Sequence, residues 1–460
     1  MNKSIFFFIV LFFPKLVLGQ TQDTVKISLQ DFIQRGIENS GQVKYQKQKV
    51  NLAENRVDQI RAQRFLPKFD LNTQHGVVPG VKSNTNLPDD EYYLDPNLKN
   101  DWGNWAIYTR ADVTAIQPIF SWGALKSAVQ AAKSAAVAAQ AQFQGQKADI
   151  RIKLFDLYQS YKLTSELLNL LDEAQDKIKE IQNKIDEKKK EKDSDIDESD
   201  IFKFKVYQSE FDMQAAEVRK NAETTQRIWN YVLQAKDSTV YVPDSFFLDP
   251  VSQKLKALDY YRMNALSNRS EISAIQAGIN AAKFGLKATK MKNYPTLFLG
   301  LTGSYANTPN RPRQSNPFII NSTNYASAAV GFGIRQNLDF LSMKADVDKS
   351  RIQYKEAKYL KDAAVDGIVL DINEAYKDAS LSKVKVDKTN DALVTSKKWL
   401  RQEQLDFDFG IGKTKDLIDA MKKELELRVQ LKRQTFEYNK NMAELYRKSG
   451  LPIMEIVNKD

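Results

Sequence analysis

The segment Phe409–Asp416, FGIGKTKD, contains residue types that could bind a phosphate. In a phosphate-binding loop, glycine-rich backbone N–H groups surround the phosphates and a lysine such as Lys413 reaches them. That loop also requires a glycine five positions before its Gly-Lys-Thr, where this chain has Phe407. It must follow a buried strand, whereas the preceding residues have the spacing of an amphipathic helix. We therefore interpret the segment as a tight turn between two helices, in which a glycine adopts a positive φ after the last helical turn.

The composition offers few groups for other chemistry. Among 460 residues there is one histidine, His75, and no cysteine. A multi-histidine metal site, a histidine-based triad and disulfides are therefore excluded. The abundant carboxylates lie beside lysines in helical patterns, which is typical of surface ion pairs. We predict no enzyme, no cofactor and no metal, and the net charge of +10 is a weak indication of nucleic-acid binding at this length.

The first twenty residues, MNKSIFFFIVLFFPKLVLGQ, have the three regions of a secretory signal. We expect residues 1–19 to be a signal peptide and the mature chain to begin at Gln20. Pro14 and Lys15 interrupt the apolar run before it could span a bilayer, and no later run of about 18 apolar residues occurs. If this exported protein enters a membrane, it must do so with strands.

Two long proline-free segments, 119–242 and 318–451, favour very long helices. Within them apolar residues recur every seven positions, the spacing of helices that pack side by side. The pattern predicts two long helices, each followed by a return helix: 124–187 and 200–233, then 344–408 and 416–448. Offset positions such as Ser382 and Thr389 are polar. We therefore expect a helical wall with one wet side.

Two further segments alternate apolar and polar residues around Pro- and Asn-rich loops, which predicts strand hairpins over 67–117 and 295–338. In the last strand Val330, Phe332 and Ile334 alternate with small or polar residues, as in a strand between lipid and water. Aromatic residues near the hairpin ends would form an interfacial girdle: Trp102, Trp105, Tyr108, Tyr305 and Tyr325. A soluble β-layer with core aromatics remains the alternative. Since even small barrels use about eight strands, four strands would need further copies of the chain to close one.

The two halves of the chain repeat one order of elements. QPIFSWGALKSAV leads into the first long helix as RQNLDFLSMKADV leads into the second. This predicts an internal duplication with four parts: a first repeat over 20–235, a linker or equatorial segment over 236–257, a second repeat over 258–451 and a tail over 452–460. The predicted fold class is α+β and mostly α, with duplicated long helical hairpins and four strands per chain.

Together these features resemble the TolC-like outer-membrane efflux protein family over nearly all of the mature sequence. The resemblance rests on the duplicated openings LQDFIQRGIENS…LPKFDL and LDYYRMNALSNRS…YPTLFL, on QPIFSWG, and on FDFGIGKTKDLIDA…LYRKSGL. It implies a homotrimer whose twelve strands form one barrel in the outer membrane and whose helices form an α-barrel tunnel in the periplasm. The implied function is a passive exit duct of a tripartite efflux or type I secretion system. The implied partners are a periplasmic adaptor protein, an inner-membrane transporter of the RND or ABC type, and outer-membrane lipid.

The same resemblance assigns FGIGKT to a helical tip at the far end of the tunnel, where the adaptor docks. The docking residues it implies are Phe409, Gly410, Ile411, Gly412 and Lys413. Asp416 and Asp419 match the acidic pair that narrows the tunnel mouth, and three copies would form two rings of negative charge that attract cations. For Asp416, in the first turn of a helix, a capping role is the alternative.

The corresponding tip of the first repeat departs from the family pattern. It reads DEKKKEKDSDIDESD over 186–200 and contains no glycine. A charged run of this kind is usually a solvated loop or helix end. The alternative is that the adaptor recognises its charge, through Lys188, Lys189 and Lys190.

Two other classes of protein remain open. A periplasmic adaptor protein is also exported and rich in helical hairpins, but the duplication and the two strand hairpins argue against it. A soluble coiled-coil structural protein would leave the aromatic-flanked strands unexplained.

Overall fold

The computed structural model describes residues 23–88, 91–190, 198–236, 239–314, 316–319, 321–409 and 411–457. Its helices are α1 Leu29–Asn39, α2 Gly41–Phe65, α3 Ala124–Lys190, α4 Glu198–Leu233, α5 Leu258–Asn268, α6 Ser270–Lys292, α7 Phe340–Asp408 and α8 Thr414–Lys448. Its strands are β1 Asp23–Ile27, β2 Lys68–Lys82, β3 Lys99–Phe120, β4 Thr239–Pro243, β5 Thr296–Asn307 and β6 Tyr325–Arg335. None of the described helices carries a stretch apolar and long enough to cross a membrane.

The chain forms two compact units. One, called here the helical unit, comprises the chain up to Lys44, Lys147–Ala265 and the chain from Asp371 onward. The other, called the sheet unit, comprises Tyr45–Gln146 and Leu266–Leu370. The long helices α3 and α7 contribute residues to both units.

The sheet unit contains one antiparallel sheet in the order β2, β3, β5, β6. One row of opposed residues crosses it: Lys68 of β2, Ile116 of β3, Gly300 of β5 and Gly331 of β6. Directly opposed side chains share a face, and side chains alternate between faces along a strand. This row therefore assigns each neighbouring strand residue to one of two faces.

The two faces of this sheet differ in polarity. The apolar face is exposed and includes Phe69, Leu71, Ile107, Val330, Phe332 and Ile334. On the polar face, Arg110 and Asp112 form an ion pair with 2.8 Å between Nε and Oδ2, and the Ser304 hydroxyl donates to Asp112 Oδ1 at 2.7 Å. The sheet thus combines an exposed apolar surface with a hydrogen-bonded polar one.

Each strand hairpin leaves the sheet through an equivalent glutamine. Gln117 Nε2 donates to the carbonyl of Arg64 in the last turn of α2 at 3.1 Å, and Gln336 Nε2 donates to the carbonyl of Asn293, which caps α6, at 2.9 Å. Carbonyls at a helix C-terminus have no intrahelical donor, so each glutamine satisfies one of them. The same bond at the same place in both halves supports the proposed duplication.

The core of the helical unit lies between α3, α4 and α8, with residues of α7 added near its end. The seven-residue seam of α7 is buried along its length: Ile372, Ala379, Val386, Leu393, Leu400 and Phe407. The polar offset residues Ser382 and Thr389 are buried too, at 4% and 8% exposed. Ser382 Oγ donates to the carbonyl of Asp378 at 2.8 Å, so the helix itself satisfies a hydroxyl that is small enough to pack.

A short parallel pair, β1 and β4, was not predicted from the sequence. It lies beside an aromatic cluster in which Phe32 stacks on Trp229 with ring centroids 4.1 Å apart. The hydroxyl of Tyr158 donates to the carbonyl of Ile27 at 3.1 Å and to Asp244 Oδ1 at 2.7 Å. These contacts attach the segment after α4 to the helical core.

Candidate functional site

The turn between α7 and α8 is closed by backbone hydrogen bonds. The N–H groups of Ile411 and Gly412 donate to the carbonyl of Asp406 at 2.9 and 2.8 Å, and Phe409 N–H donates to the carbonyl of Leu405 at 2.9 Å. These bonds satisfy carbonyls of the last helical turn. Gly410 lies outside the described residues.

Glycine at position 412 is explained by space and not by backbone conformation. Gly412 does not have a positive φ. A Cβ atom there would lie 2.6 Å from Phe407 N and 2.8 Å from the carbonyl carbon of Asp406, so a side chain would collide with the helix end. Because a helix, α7, leads directly into this turn, the strand that a phosphate-binding loop requires is not in the expected place.

The turn exposes apolar side chains. Phe409 is 77% exposed and Ile411 is 78% exposed, whereas Phe407 is only 3% exposed and packs in the helical core. Lys413 is also exposed. Two large apolar side chains in water on a short turn are typical of a surface that binds another protein.

The two aspartates lie on the first turns of α8. The N-cap residue of α8 is Lys413, whose side chain makes no capping hydrogen bond. Asp416 is half-buried, and its carboxylate makes no hydrogen bond or ion pair with the described residues, so the capping alternative lacks the bond that would define it. The helix N-terminus still favours a negative charge at this position.

Asp419 lies one turn further and is exposed. It begins a water-facing stripe of α8 whose members recur every three or four residues: Asp419, Lys423, Glu426, Gln430, Arg433 and Glu437. The opposite side of the helix is buried through Leu417, Ile418 and Met421. This amphipathic pattern holds Asp419 in water and orients Asp416, at i−3, toward nearly the same side.

One ion pair near the turn was not predicted from the sequence. Lys184 Nζ of α3 lies 3.2 Å from Asp408 Oδ1, at the end of α7, and 3.3 Å from Glu180 Oε1. Its i,i+4 spacing to Glu180 is visible in the sequence. Its pairing with a residue 224 positions away depends on the packing of α3 against α7 and has no sequence signal.

For the first tip, α3 extends to Lys190, three residues beyond the expected end. The side chains of Lys188, Lys189 and Lys190 and the whole of residues 191–197 lie outside the described part of the chain. The docking role of these lysines therefore stays a prediction.

Residues 262–451 match the sequence model of the outer membrane efflux protein family. No curated protein matches the sequence. Solved structures of outer-membrane channels share the fold over most of the chain. The MtrE outer membrane channel of Neisseria gonorrhoeae has 15% sequence identity and a TM-score of 0.72, over 94% of this chain and 91% of that one.

The CmeC outer membrane channel of Campylobacter jejuni has 14% identity and a TM-score of 0.72, covering 92% of this chain and 85% of that one. CusC, whose structures describe transmembrane channel formation, has 14% identity and a TM-score of 0.73, with 93% of both chains covered. The fold is therefore that of outer-membrane channels. The family match supports the resemblance to outer-membrane efflux proteins over residues 262–451, and the solved structures show the same fold over most of the chain.

Proposed function

We propose that the protein is the outer-membrane exit duct of a tripartite efflux or type I secretion system and that three copies assemble around one pore. Such a duct conducts cargo passively, so it needs no catalytic or cofactor-binding group. Its partners would be a periplasmic adaptor and an energised inner-membrane transporter, which would select the cargo. Asp416 and Asp419 would form the gate at its periplasmic mouth.

The observation that carries this proposal is the four-stranded sheet. Its outer strands, β2 and β6, each leave one edge without a strand neighbour among the described residues. Its apolar face is exposed while its polar face is hydrogen-bonded. Three such sheets joined edge to edge would give twelve strands, with the apolar faces toward lipid and the polar faces toward a water-filled lumen.

Uncovered helix faces in the helical unit also support assembly. On α4 the exposed apolar residues are Phe202, Val206, Met213, Ile228 and Tyr231. On α7, within the same unit, they are Leu381, Val384, Val394 and Leu405. Exposed apolar stripes on two helices are unusual for a monomer in water. We propose that α4 of one copy packs against α7 of the next.

The exposed turn supports docking of a periplasmic partner. Phe409 and Ile411 would insert into an apolar groove, and Lys413 would lie at its polar rim. Lys188, Lys189 and Lys190 would supply charge at the neighbouring tip. Replacing these three lysines with glutamate should weaken adaptor binding without affecting assembly.

Electron microscopy of detergent-extracted protein tests the assembly. We expect end views with three-fold symmetry around a central pore, and two-fold or monomeric particles would overturn the proposal. Membrane fractionation tests the alternative classes, because a soluble coiled-coil protein would be released by salt or carbonate without detergent. A periplasmic adaptor with an inner-membrane anchor would sediment with the inner membrane, whereas the duct should sediment with outer-membrane lipid.

A further inference from the structure

Arg335, the last residue of β6, has an uncompensated charge in the single chain. Its Cζ lies 5.2 Å from the centroid of the Phe298 ring, a cation–π arrangement. That ring in turn lies over Gly333, where a Cβ atom would approach Phe298 Cζ to 2.5 Å. Within the described chain, no carboxylate lies within 4.0 Å of the Arg335 guanidinium. The glycine and the ring thus hold a cation at the outer strand of the sheet.

The opposite outer strand carries a carboxylate on the same face. Among the described residues, Asp70 of β2 pairs only with its neighbour Lys68, at 3.1 Å between Oδ1 and Nζ; the Lys68 side chain is 78% exposed and that of Asp70 is 45% exposed. Lys68 lies in the row that ends at Gly331, and Arg335 is four residues beyond Gly331 on the same strand. Since even-numbered steps keep a side chain on one face, Lys68, Asp70 and Arg335 all belong to the polar face.

The geometry of a closed barrel limits which residues of these two edges can meet. In a closed barrel of tilted strands, a hydrogen-bonded row that crosses one copy reaches the next copy shifted along the strands. The shift equals four strand spacings of about 4.8 Å multiplied by the tangent of a tilt of about 35–45°. Divided by a rise of about 3.3 Å per residue, it gives a stagger of about four to six residues per copy. The direction of the stagger follows from the sheet. The row starts at Lys68, the first residue of β2. It reaches β6 at Gly331, four residues before Arg335, the last residue of β6.

Continued into the next copy, the row from Gly331 therefore meets β2 about four to six residues after Lys68. Face alternation allows only the even steps, which are Asn72 and Gln74. In the antiparallel pairing that joins β6 to β2, Arg335 then lies opposite either Lys68 or Asp70. The first register would oppose two cations, whereas the second would oppose a cation and a carboxylate.

We propose that Arg335 of one copy forms an ion pair with Asp70 of the partner subunit and so selects the register in which three sheets close. This inference rests on the proposed trimer and adds to it the residues that meet at each seam. Three such pairs would line the periplasmic end of the lumen. Since the polar face of both edge strands near this point otherwise carries only Lys68 and small or uncharged residues, this pair is the charged contact that distinguishes adjacent registers.

Disulfide trapping tests the register in the full-length protein in its native membrane. The chain has no cysteine, so each introduced pair is the only one present. Directly opposed residues of antiparallel strands have Cα atoms about 4.5–5.5 Å apart, within the range a disulfide requires. We would compare the double variant D70C/R335C with the control K68C/R335C, in which position 335 is paired with the residue two positions earlier on the same face of β2.

After oxidation we expect D70C/R335C to run as a covalent trimer in non-reducing gels and K68C/R335C to remain mostly monomeric. Trapping of K68C/R335C instead would overturn the ion pair while leaving the trimer standing. If neither pair is trapped although electron microscopy shows three-fold particles, the seam lies elsewhere and the inference fails alone. If no oligomer forms in any variant or in the parent protein, the proposed function fails with it.

Charge exchange provides a second measurement that does not depend on cysteine reactivity. D70R should reduce the fraction of trimer that survives detergent extraction, because the introduced guanidinium would oppose that of Arg335. The exchanged variant D70R/R335D should restore that fraction. Loss in both variants would count against the pair, as would a D70R trimer as stable as the parent.

Discussion

Lys184 Nζ of α3 lies 3.2 Å from Asp408 Oδ1, in the last residue of α7. This ion pair joins two long helices immediately before the turn that carries Phe409 and Ile411. The same ammonium group lies 3.3 Å from Glu180, so one cation serves two carboxylates. The pair therefore ties the ends of both long helices together next to the proposed gate.

Replacing Lys184 with glutamate should weaken the contact between the ends of α3 and α7. Three carboxylates would then repel one another, and the helix ends would separate more often. Since an exposed ion pair contributes about 0.2–1 kcal/mol, we expect up to about a fivefold rise in the open population per pair. Single-channel conductance in planar bilayers would report it. The exchanged variant K184D/D408K should return conductance to the parent level, and a K184E channel identical to the parent would contradict the prediction.

Replacing Asp416 and Asp419 with asparagine should reduce cation selectivity. Two rings of carboxylates at the mouth would concentrate cations there, and the amides keep the shape while removing the charge. The reversal potential in a salt gradient measures the change. Asp259→Asn is the matched control, because it removes an exposed carboxylate on α5, away from the turn. An unchanged reversal potential in the double variant would remove both residues from the gate.

Replacing Phe409 and Ile411 with serine should abolish efflux without reducing the amount of assembled protein. Both side chains are exposed, so their loss costs the fold little while removing the apolar contact a partner would bury. Accumulation of a fluorescent efflux substrate in cells, together with cross-linking to the adaptor, would measure the effect. Phe318→Ser, at an exposed phenylalanine in the second hairpin loop, should leave efflux unchanged. Normal adaptor cross-linking in the double variant would refute the docking assignment.

Replacing Trp229 with alanine should destabilise the helical unit by about 3–5 kcal/mol, the usual cost of removing a large buried aromatic side chain. Trp229 is fully buried against Phe32, whereas Tyr231, two residues later, is 84% exposed. Thermal unfolding of the extracted protein should show a lower midpoint for W229A than for Y231A. Equal midpoints would mean that this aromatic cluster does not determine stability.

The pH dependence of stability should change at Asp156. Burial raises the pKa of this α3 carboxyl from 3.8 to about 6; Lys440 of α8 opposes the shift, while Glu444 and Glu437 add to it. Its Oδ1 atom makes no hydrogen bond with the described residues. Because the folded state retains the proton at a higher pH than the unfolded state, this group lowers stability as pH rises from about 4 through 6.

Asp156→Asn should therefore raise the unfolding midpoint at pH 7.5 and leave it nearly unchanged at pH 4.5. Asp172→Asn, at an exposed position of the same helix, is the control at both values. If D156N gave the same shift at both pH values, ionisation would not be its cause.

The long helices could be predicted from the sequence because their signal is strong and local. Proline is absent over more than a hundred residues, and six buried residues of α7 recur at seven-residue steps. The end predicted for α3 and the start predicted for α4 differ from the observed ones by three and two residues, in a charged segment where several Ser and Asp residues could each serve as an N-cap. Seams between helices are thus encoded by periodicity, whereas helix ends are not.

The parts that were missed depend on contacts between distant segments. β1 and β4 are five residues each and pair across more than two hundred positions, so neither has a periodicity of its own. The sequence does not show that Gly412 provides space for the end of α7, because that contact depends on how the turn folds back on the helix. In the candidate site, exposure of Phe409 and Ile411 follows from their place in a turn. The bond between Lys184 and Asp408 depends on helix packing that no local pattern specifies.

The uninterrupted course of α3 and α7 limits how a gene for such a protein can change in length. A one-residue deletion within a helix rotates everything beyond it by about 100°, so the buried seam would turn toward water. Removing seven residues restores the seam to within about 20°. The same deletion must then occur in the return helix and in the other repeat, because otherwise the two tips would end at different levels. Length variation among relatives should therefore occur in steps of about seven residues, in several helices at once, while the hairpin loops vary freely.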